Sequence, residues 1–417
     1  MWHERLVRCM TKHHLSRDAI RRVLLSLITV LQDALIKQGA LGQGQSLAFQ
    51  TMGYTHADID SIEIDEASLG FDSLSRLDLV LAVNQFFQLH TTGVEDYLLI
   101  RRKIGDWVDL VEQHFDIVTQ NAQIAFQTSG STAEPKTIIH AFQTLQTEIY
   151  ALLSGPVGQR PRSARIISLV PPHHMYGFLF SCLLPSMTGN ETISLYQQTP
   201  TRCFTLARDG DLVIATPFIW NKLAQSALQF PPGVTGITSA APSTPETWSV
   251  LDKTNLSGLI EVYGATETGG IGFRSAHDSA FELLPHLDAA HKEIFPINGE
   301  GMPLDIQDDL AWVGPRHFEV TGRIDKMVQV AGVNVSPAHV ARVISSIACV
   351  KEAKVRMNGD RLQALIVPTA TNEPTDVVAK RVREHIVRSL PAPARPATIT
   401  FATSLPVTDM GKVMDWT

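Results

Sequence analysis

Gln127-Thr-Ser-Gly-Ser-Thr-Ala-Glu-Pro-Lys136 is the most informative stretch of this 417-residue chain. It lies between an apolar run at 124–126, which predicts a strand, and residues 140–153, where Phe142, Leu145, Ile149 and Leu152 share one helical face. A loop so placed offers backbone N–H and side-chain O–H groups to phosphate oxygens, and Lys136 adds positive charge. The pattern is not GxxxxGK[ST], which needs a Lys-Ser/Thr pair opening the helix. On its own the stretch reads equally well as an ordinary Ser/Thr-rich turn.

Downstream, short apolar runs at 165–170, 192–196, 212–215, 236–240 and 259–263 predict strands, and helical patterns at 178–187, 218–228 and 245–251 fall between them. That alternation implies an α/β unit with a mainly parallel sheet covered on both faces. Ligands then bind beyond the carboxyl ends of the strands. Past residue 322 the pattern changes. Strands at 327–330 and 333–335, a helix at 338–347, a hairpin turning on Asn358-Gly359, a helix at 375–390 and a strand at 398–401 predict a small α+β domain over 323–417. Upstream, helices at 21–37, 73–89 and 104–115 predict a helical bundle over 1–118. Leu74, Leu77 and Leu81 form the expected apolar face of the second helix, and Trp107, Leu110, Val111 and Phe115 that of the third. The large domain is left with 119–322.

Composition removes several classes. Charged residues make up 18%, below the usual share of about 25%, which excludes a disordered chain. Lys and Arg total 35 against 42 Asp and Glu, so the net charge is -7, which argues against a nucleic-acid binder. The four cysteines (Cys9, Cys182, Cys203, Cys349) are scattered, without the spacing of a disulfide framework or a zinc site. No apolar run is long enough to span a membrane. A cytoplasmic protein is expected.

Three more motifs can carry chemistry. Tyr263-Gly-Ala-Thr-Glu267 follows the last strand. There Glu267 can hold Mg²⁺ against phosphate oxygens, because hard cations prefer carboxylates, and the Thr266 hydroxyl can bind a phosphate. A capped turn is the plain alternative. Asp309-Leu-Ala, followed by Thr321-Gly-Arg-Ile-Asp325, supplies an acid for paired ribose hydroxyls and a guanidinium that forks onto oxygens, or else a surface pair. Leu405-Pro-Val-Thr-Asp-Met-Gly-Lys412 ends in a lysine that can reach an anion or simply stay solvated.

In this order the four segments resemble the adenylate-forming superfamily, which includes acyl- and aryl-CoA synthetases, peptide-synthetase adenylation domains and luciferases. The resemblance covers 120–417 and implies ATP and Mg²⁺ as cofactors. Thr128, Ser129, Gly130, Ser131, Thr132 and Lys136 would form the phosphate loop, with Ala133 where the family usually has glycine. Thr266 would touch the phosphate and Glu267 the Mg²⁺. Ala241 and Pro242, in Ser239-Ala-Ala-Pro242, would flank the nucleotide together with Tyr263 and Gly264. Asp309 would hold the ribose, although its neighbour is Asp308 rather than glycine. Arg323 would support ribose and phosphates, and Asp325 would be the hinge. Lys412 would bridge substrate carboxylate and α-phosphate, and the loop at Gly332 would serve the thiol step. Gln329 stands where a lysine is often found.

The acid itself is less legible. Pro171-Pro-His-His-Met-Tyr-Gly177 resembles the acid-binding segment, with His174 at its His/aromatic position. It has no Asp to pair with a substrate ammonium, which disfavours an amino acid. Phe178, Phe218 and Thr268-Gly-Gly-Ile-Gly272 outline a flat apolar slot for an aromatic or medium acyl acid, or are simply core. Leu69-Gly-Phe-Asp-Ser-Leu74 resembles the modification site of an acyl-carrier domain covering 20–116. That implies 4′-phosphopantetheine on Ser73, added by a phosphopantetheinyl transferase; a Ser/Asp helix cap is the alternative.

The expectation is an ATP-dependent ligase that adenylates an aromatic or acyl carboxylic acid and passes it to a pantetheine thiol. The acceptor would be its own Ser73 arm, a separate acyl carrier protein or CoA, in settings such as polyketide-like or aryl-polyene synthesis. The short large domain leaves room for a homo-oligomer. The rivals are a CoA ligase whose N-terminal bundle is purely structural and a non-catalytic scaffold.

Overall fold

A computed structural model describes residues 15–42, 55–127, 136–155, 157–158, 165–291, 293–297, 302–323, 328–330, 333–359, 361–369, 375–390, 392–406 and 416. After β1 (Gln123–Gln127) and β2 (Thr137–Ala141), the apolar runs form β3 (Ile166–Ser168), β4 (Thr192–Ser194), β5 (Leu212–Ile214), β6 (Thr235–Thr238) and β7 (Gly258–Ala265). They lie parallel in the order β4–β3–β5–β6–β7, and β8 (Gly269–Arg274) adds antiparallel to β7. Successive side chains point to opposite faces. Thus Ile166, Leu212, Ile214 and Ile260 enter one hydrophobic core, while Ile167, Val213 and Leu259 enter another. The second core is closed by the helix Pro217–Ala224, whose buried Trp220 donates from Nε1 to the Ile237 carbonyl at 3.2 Å.

The first core is where structure and expectation part. The helices Arg17–Lys37, Ser73–Phe87 and Ile104–Val118 do form, with Trp107, Leu110, Val111 and Phe115 buried as predicted. They are not a self-contained carrier-like bundle, because their apolar side chains merge with those of the sheet in one cluster. Phe86 packs against Phe126 and Phe178, with centroids at 5.6 and 5.8 Å, and Phe115 meets Phe142 at 5.3 Å. Arg22 donates from Nε to the Ser181 carbonyl at 2.9 Å. The expected Leu74–Leu77–Leu81 face is solvent-exposed, whereas Leu79, Val80, Val83, Phe86 and Phe87 are buried. This helix is apolar almost all round, so periodicity alone does not choose the buried side.

Two compact units result. One comprises Met1–Ser279, Leu283–Asp288 and Pro296–Glu300; the other comprises Ala280–Glu282, Ala289–Phe295 and Gly301–Thr417. The division therefore falls at neither 118 nor 322. The second unit has its own core, built from Val330, Val340, Ile344, Ile366, Val382 and Ile386. Its hairpin Val350–Asn358/Arg361–Pro368 turns on Asn358-Gly359, where Gly359 has φ +65°, a conformation suited to glycine. Thr398–Phe401 adds to it in parallel.

Among the described residues no helix is long and apolar enough to cross a membrane. Cys182, Cys203 and Cys349 are buried free thiols.

Candidate active site

β1 (Gln123–Gln127) and β2 (Thr137–Ala141) flank the phosphate-loop stretch and pair antiparallel, Gln127 opposite Thr137. Residues 137–141 are thus strand, and the helix starts only at Phe142. The β-branched run Thr137-Ile-Ile139 explains the shift. Thr128, Ser129, Gly130, Ser131 and Thr132 lie outside the described residues, as do Asp325, Gly332 and Lys412. Lys136 is exposed where the chain enters β2.

Strand order reverses between β4–β3 and β3–β5, and ligands gather in the crevice at such a switch point, beyond the carboxyl ends. Pro171–His174 leaves β3 at that end. Tyr176 fixes it there, donating from Oη to the Ile237 carbonyl at 2.8 Å and lying 3.2 Å from the Ala215 carbonyl, at the ends of β6 and β5. His174 is half-buried, its ring 4.3 Å from that of His173. Burial and the neighbouring His174 pull the His173 pKa down to about 3, so the ring is neutral; its Nδ1 lies 2.6 Å from Ser26 Oγ.

The loop after β6 carries Ala241 and Pro242. Ser239 ties it to β7 by donating from Oγ to the Val262 carbonyl at 2.8 Å. Buried Glu261 holds its other end: Oε1 accepts the Ser243 N–H at 2.9 Å, and Oε2 accepts Arg274 Nε at 2.6 Å.

Thr266 and Glu267 occupy the turn between β7 and β8, with Glu267 exposed. Gly264 is dictated by contact, since a Cβ there would come 2.2 Å from the Gly269 carbonyl oxygen. His140, on β2, places Nε2 at 2.6 Å from the Thr266 carbonyl. A carbonyl only accepts, so this nitrogen carries the proton. Burial lowers the His140 pKa, opposed by that hydrogen bond and by the charge of Glu267. One exposed carboxylate suits Mg²⁺, which is commonly held by one or two carboxylates plus substrate phosphates.

In the second unit, strands Asp308–Trp312 and His317–Arg323 pair so that Asp308 faces Arg323 and Asp309 faces Gly322. Thr321 Oγ1 donates to Asp309 Oδ2 at 2.7 Å, which orients the exposed Asp309 carboxylate.

Sequence reasoning missed His140, Glu261, Arg274 and Glu148. Glu148 alone left a signal, a charge on the apolar stripe of its helix. It is buried, and burial pushes its pKa up to about 7 against a hydrogen bond from the Gly270 backbone.

Loops at the carboxyl ends of parallel strands, one bearing a Thr-Glu turn, lie where an open α/β sheet takes its ligands. A family model described as "AMP-binding enzyme" matches residues 110–292. A 4-coumarate–CoA ligase of Cereibacter sphaeroides is 41% identical over 402 residues, covering 96% of this chain and 97% of that protein. A 4-coumarate–CoA ligase of Halorhodospira halophila is 37% identical over 406 residues, covering 96% and 99%. Among solved structures, ATP-bound MatB from Rhodopseudomonas palustris aligns with a TM-score of 0.61 at 16% identity, over 94% of this chain and 91% of that one. The chain belongs to the AMP-binding, adenylate-forming enzymes, and within them to the acyl/aryl-CoA ligase type.

Proposed function

We propose that this chain uses ATP to join a hydroxylated aromatic acid of the 4-coumarate class to the thiol of CoA. The observation that carries the reading is the identity to 4-coumarate–CoA ligases over nearly the whole of both chains. A carboxylate oxygen attacks the ATP α-phosphate, pyrophosphate leaves, and the acyl-AMP is then cleaved by a thiol with release of AMP. Bound Mg²⁺ would supply charge neutralisation on the phosphates, and Glu267 is the residue to hold it. His140 holds the Thr266–Glu267 turn against the strand that follows the phosphate loop. Asp309, braced by Thr321, would take the ribose hydroxyls. The phosphate-loop residues 128–132, Lys136 and Arg323 would bind phosphates. Lys412 would join carboxylate to α-phosphate in the first step. Asp325 and the loop at Gly332 would serve the second.

CoA, rather than a carrier arm, is the acceptor in this reading. Ser73 is exposed at the first position of its helix, where the Asp72 carboxylate accepts the N–H groups of Leu74 and Ser75 at 3.1 and 2.8 Å. That is an N-cap. The helices Arg17–Lys37, Ser73–Phe87 and Ile104–Val118 serve as one wall of the large unit's core.

Pyrophosphate release with Mg-ATP and a panel of acids tests the proposal. Aromatic acids should support it, and Lys412→Ala should slow it by roughly a hundredfold or more. Folded protein that releases no pyrophosphate with any aromatic or fatty acid would end this reading.

A further inference from the structure

Glu148 stands where helical spacing asks for an apolar residue. Leu145, Glu148 and Leu152 fall at i, i+3 and i+7 of the helix Phe142–Ser154, and Glu148 is only 4% exposed. Its carboxyl rests against two glycines of β8. A Cβ on Gly269 would lie 2.6 Å from Oε2, and one on Gly270 would lie 2.5 Å from Oε1. Both positions must therefore be glycine for the carboxyl to sit there; Gly269 also has φ +74°. The same Cβ on Gly269 would stand 3.5 Å from Met175 Cε. The carboxyl thus meets the segment just past Thr266–Glu267 and, beside it, the residue that follows His174. These are the two segments assigned by sequence to the acid slot.

A carboxylate offers about four acceptor sites, and the Gly270 N–H uses one of them. Burying an ionisable group works against stability, and such groups gather at functional sites. A phenolic hydroxyl, with a pKa near 10, is a proton donor at neutral pH and complements an acceptor in an otherwise apolar wall.

We propose that Glu148 is the specificity residue that accepts a hydrogen bond from the ring hydroxyl of the aromatic acid. This rests on the aromatic-acid reading above. A site built around a buried acceptor discriminates against an analogue lacking the donor, because the acceptor is then left unpaired.

The test compares kcat/KM for pyrophosphate release with 4-hydroxycinnamate, 4-methoxycinnamate and cinnamate. At pH 8, where most of the Glu148 carboxyl is ionised, the wild type should prefer the hydroxylated acid by roughly 10–100-fold, the range of a hydrogen bond to a charged group. Since the methyl ether cannot donate, it should fall in with cinnamate. Glu148→Leu should bring the ratio toward unity, and Glu148→Gln, which keeps an acceptor oxygen, should retain part of it. Equal use of the three acids by the wild type overturns the assignment without needing any variant. So does a Glu148→Leu enzyme whose ratio is unchanged, the signature of a merely structural carboxyl. Release with none of the three, or with fatty acids alone, removes the aromatic-acid reading itself and this inference with it.

Discussion

The helices before residue 118 and the second compact unit look alike in sequence, each a short run of amphipathic elements set apart from the central alternation. They differ in where their cores close. In the second unit Val340, Ile344, Ile366 and Val382 pack among their own neighbours. In the N-terminal helices Phe86 and Phe115 reach Phe126, Phe142 and Phe178, residues of the strand and helices beside the site. Amphipathic periodicity says that a face will be buried, not what it will be buried against. A parallel sheet needs both faces covered, and one cover here comes from the chain's beginning.

The contrast breaks most visibly on truncation. Starting the chain at residue 119 strips one face of the sheet, so the first unit should fail to fold, with loss of near-UV circular dichroism and rapid proteolysis. Residues 301–417 expressed alone should stay folded. If the truncated large unit kept a cooperative transition, the N-terminal helices would after all be an appended domain.

Much of this was legible in the sequence. The strands from 165 to 263 lie within a few residues of their observed positions, because β-branched runs and turn residues speak locally. The hairpin at Asn358-Gly359 was legible for the same reason. The position of Thr266–Glu267 at the end of an apolar strand was legible too. What was hidden depended on contacts distant in sequence. His140 meets Thr266 across 126 positions, and Ser26 meets His173 across 147. No local pattern encodes either pair. The carrier-like serine motif does not decide between its two readings, because an Asp-capped helix start looks the same whether or not the serine is modified.

Acid should sharpen the contrast by a smaller amount. His114, 1% exposed on the Ile104–Val118 helix, has its pKa drawn down to about 4 by burial. His173 and His286, also of the first unit, are drawn to about 3 and about 4. Each stays neutral when folded but takes up a proton near pH 6.5 when unfolded. The stability they provide is therefore complete above pH 6.5 and is lost progressively as pH falls toward the folded values. His114 alone should cost about 2 kcal/mol at pH 5. Glu148 opposes this trend. Its folded pKa, about 7, lies above its unfolded value, so its penalty grows as pH rises from about 4.5 to 7 and shrinks again on acidification. Calorimetry from pH 7 to 5 should show the first unit's transition moving down relative to the second's. A His114→Gln variant should show a smaller drop. Parallel movement of both transitions would mean that the buried histidines do not govern the difference.

The smallest effect belongs to the face that sequence spacing chose and folding did not. Leu74, Leu77 and Leu81 are 67%, 41% and 55% exposed, while Leu79, between them, is 1% exposed. Truncating an exposed leucine removes little buried area, whereas truncating a buried one leaves a cavity. Leu77→Ala should change unfolding free energy by no more than about 0.5 kcal/mol in urea titration. Its buried neighbour sets the scale, since a Leu→Ala change in a core costs about 2–5 kcal/mol. A loss of that size at Leu77 would show that this face is covered in solution, and the helix would then have two buried sides instead of one.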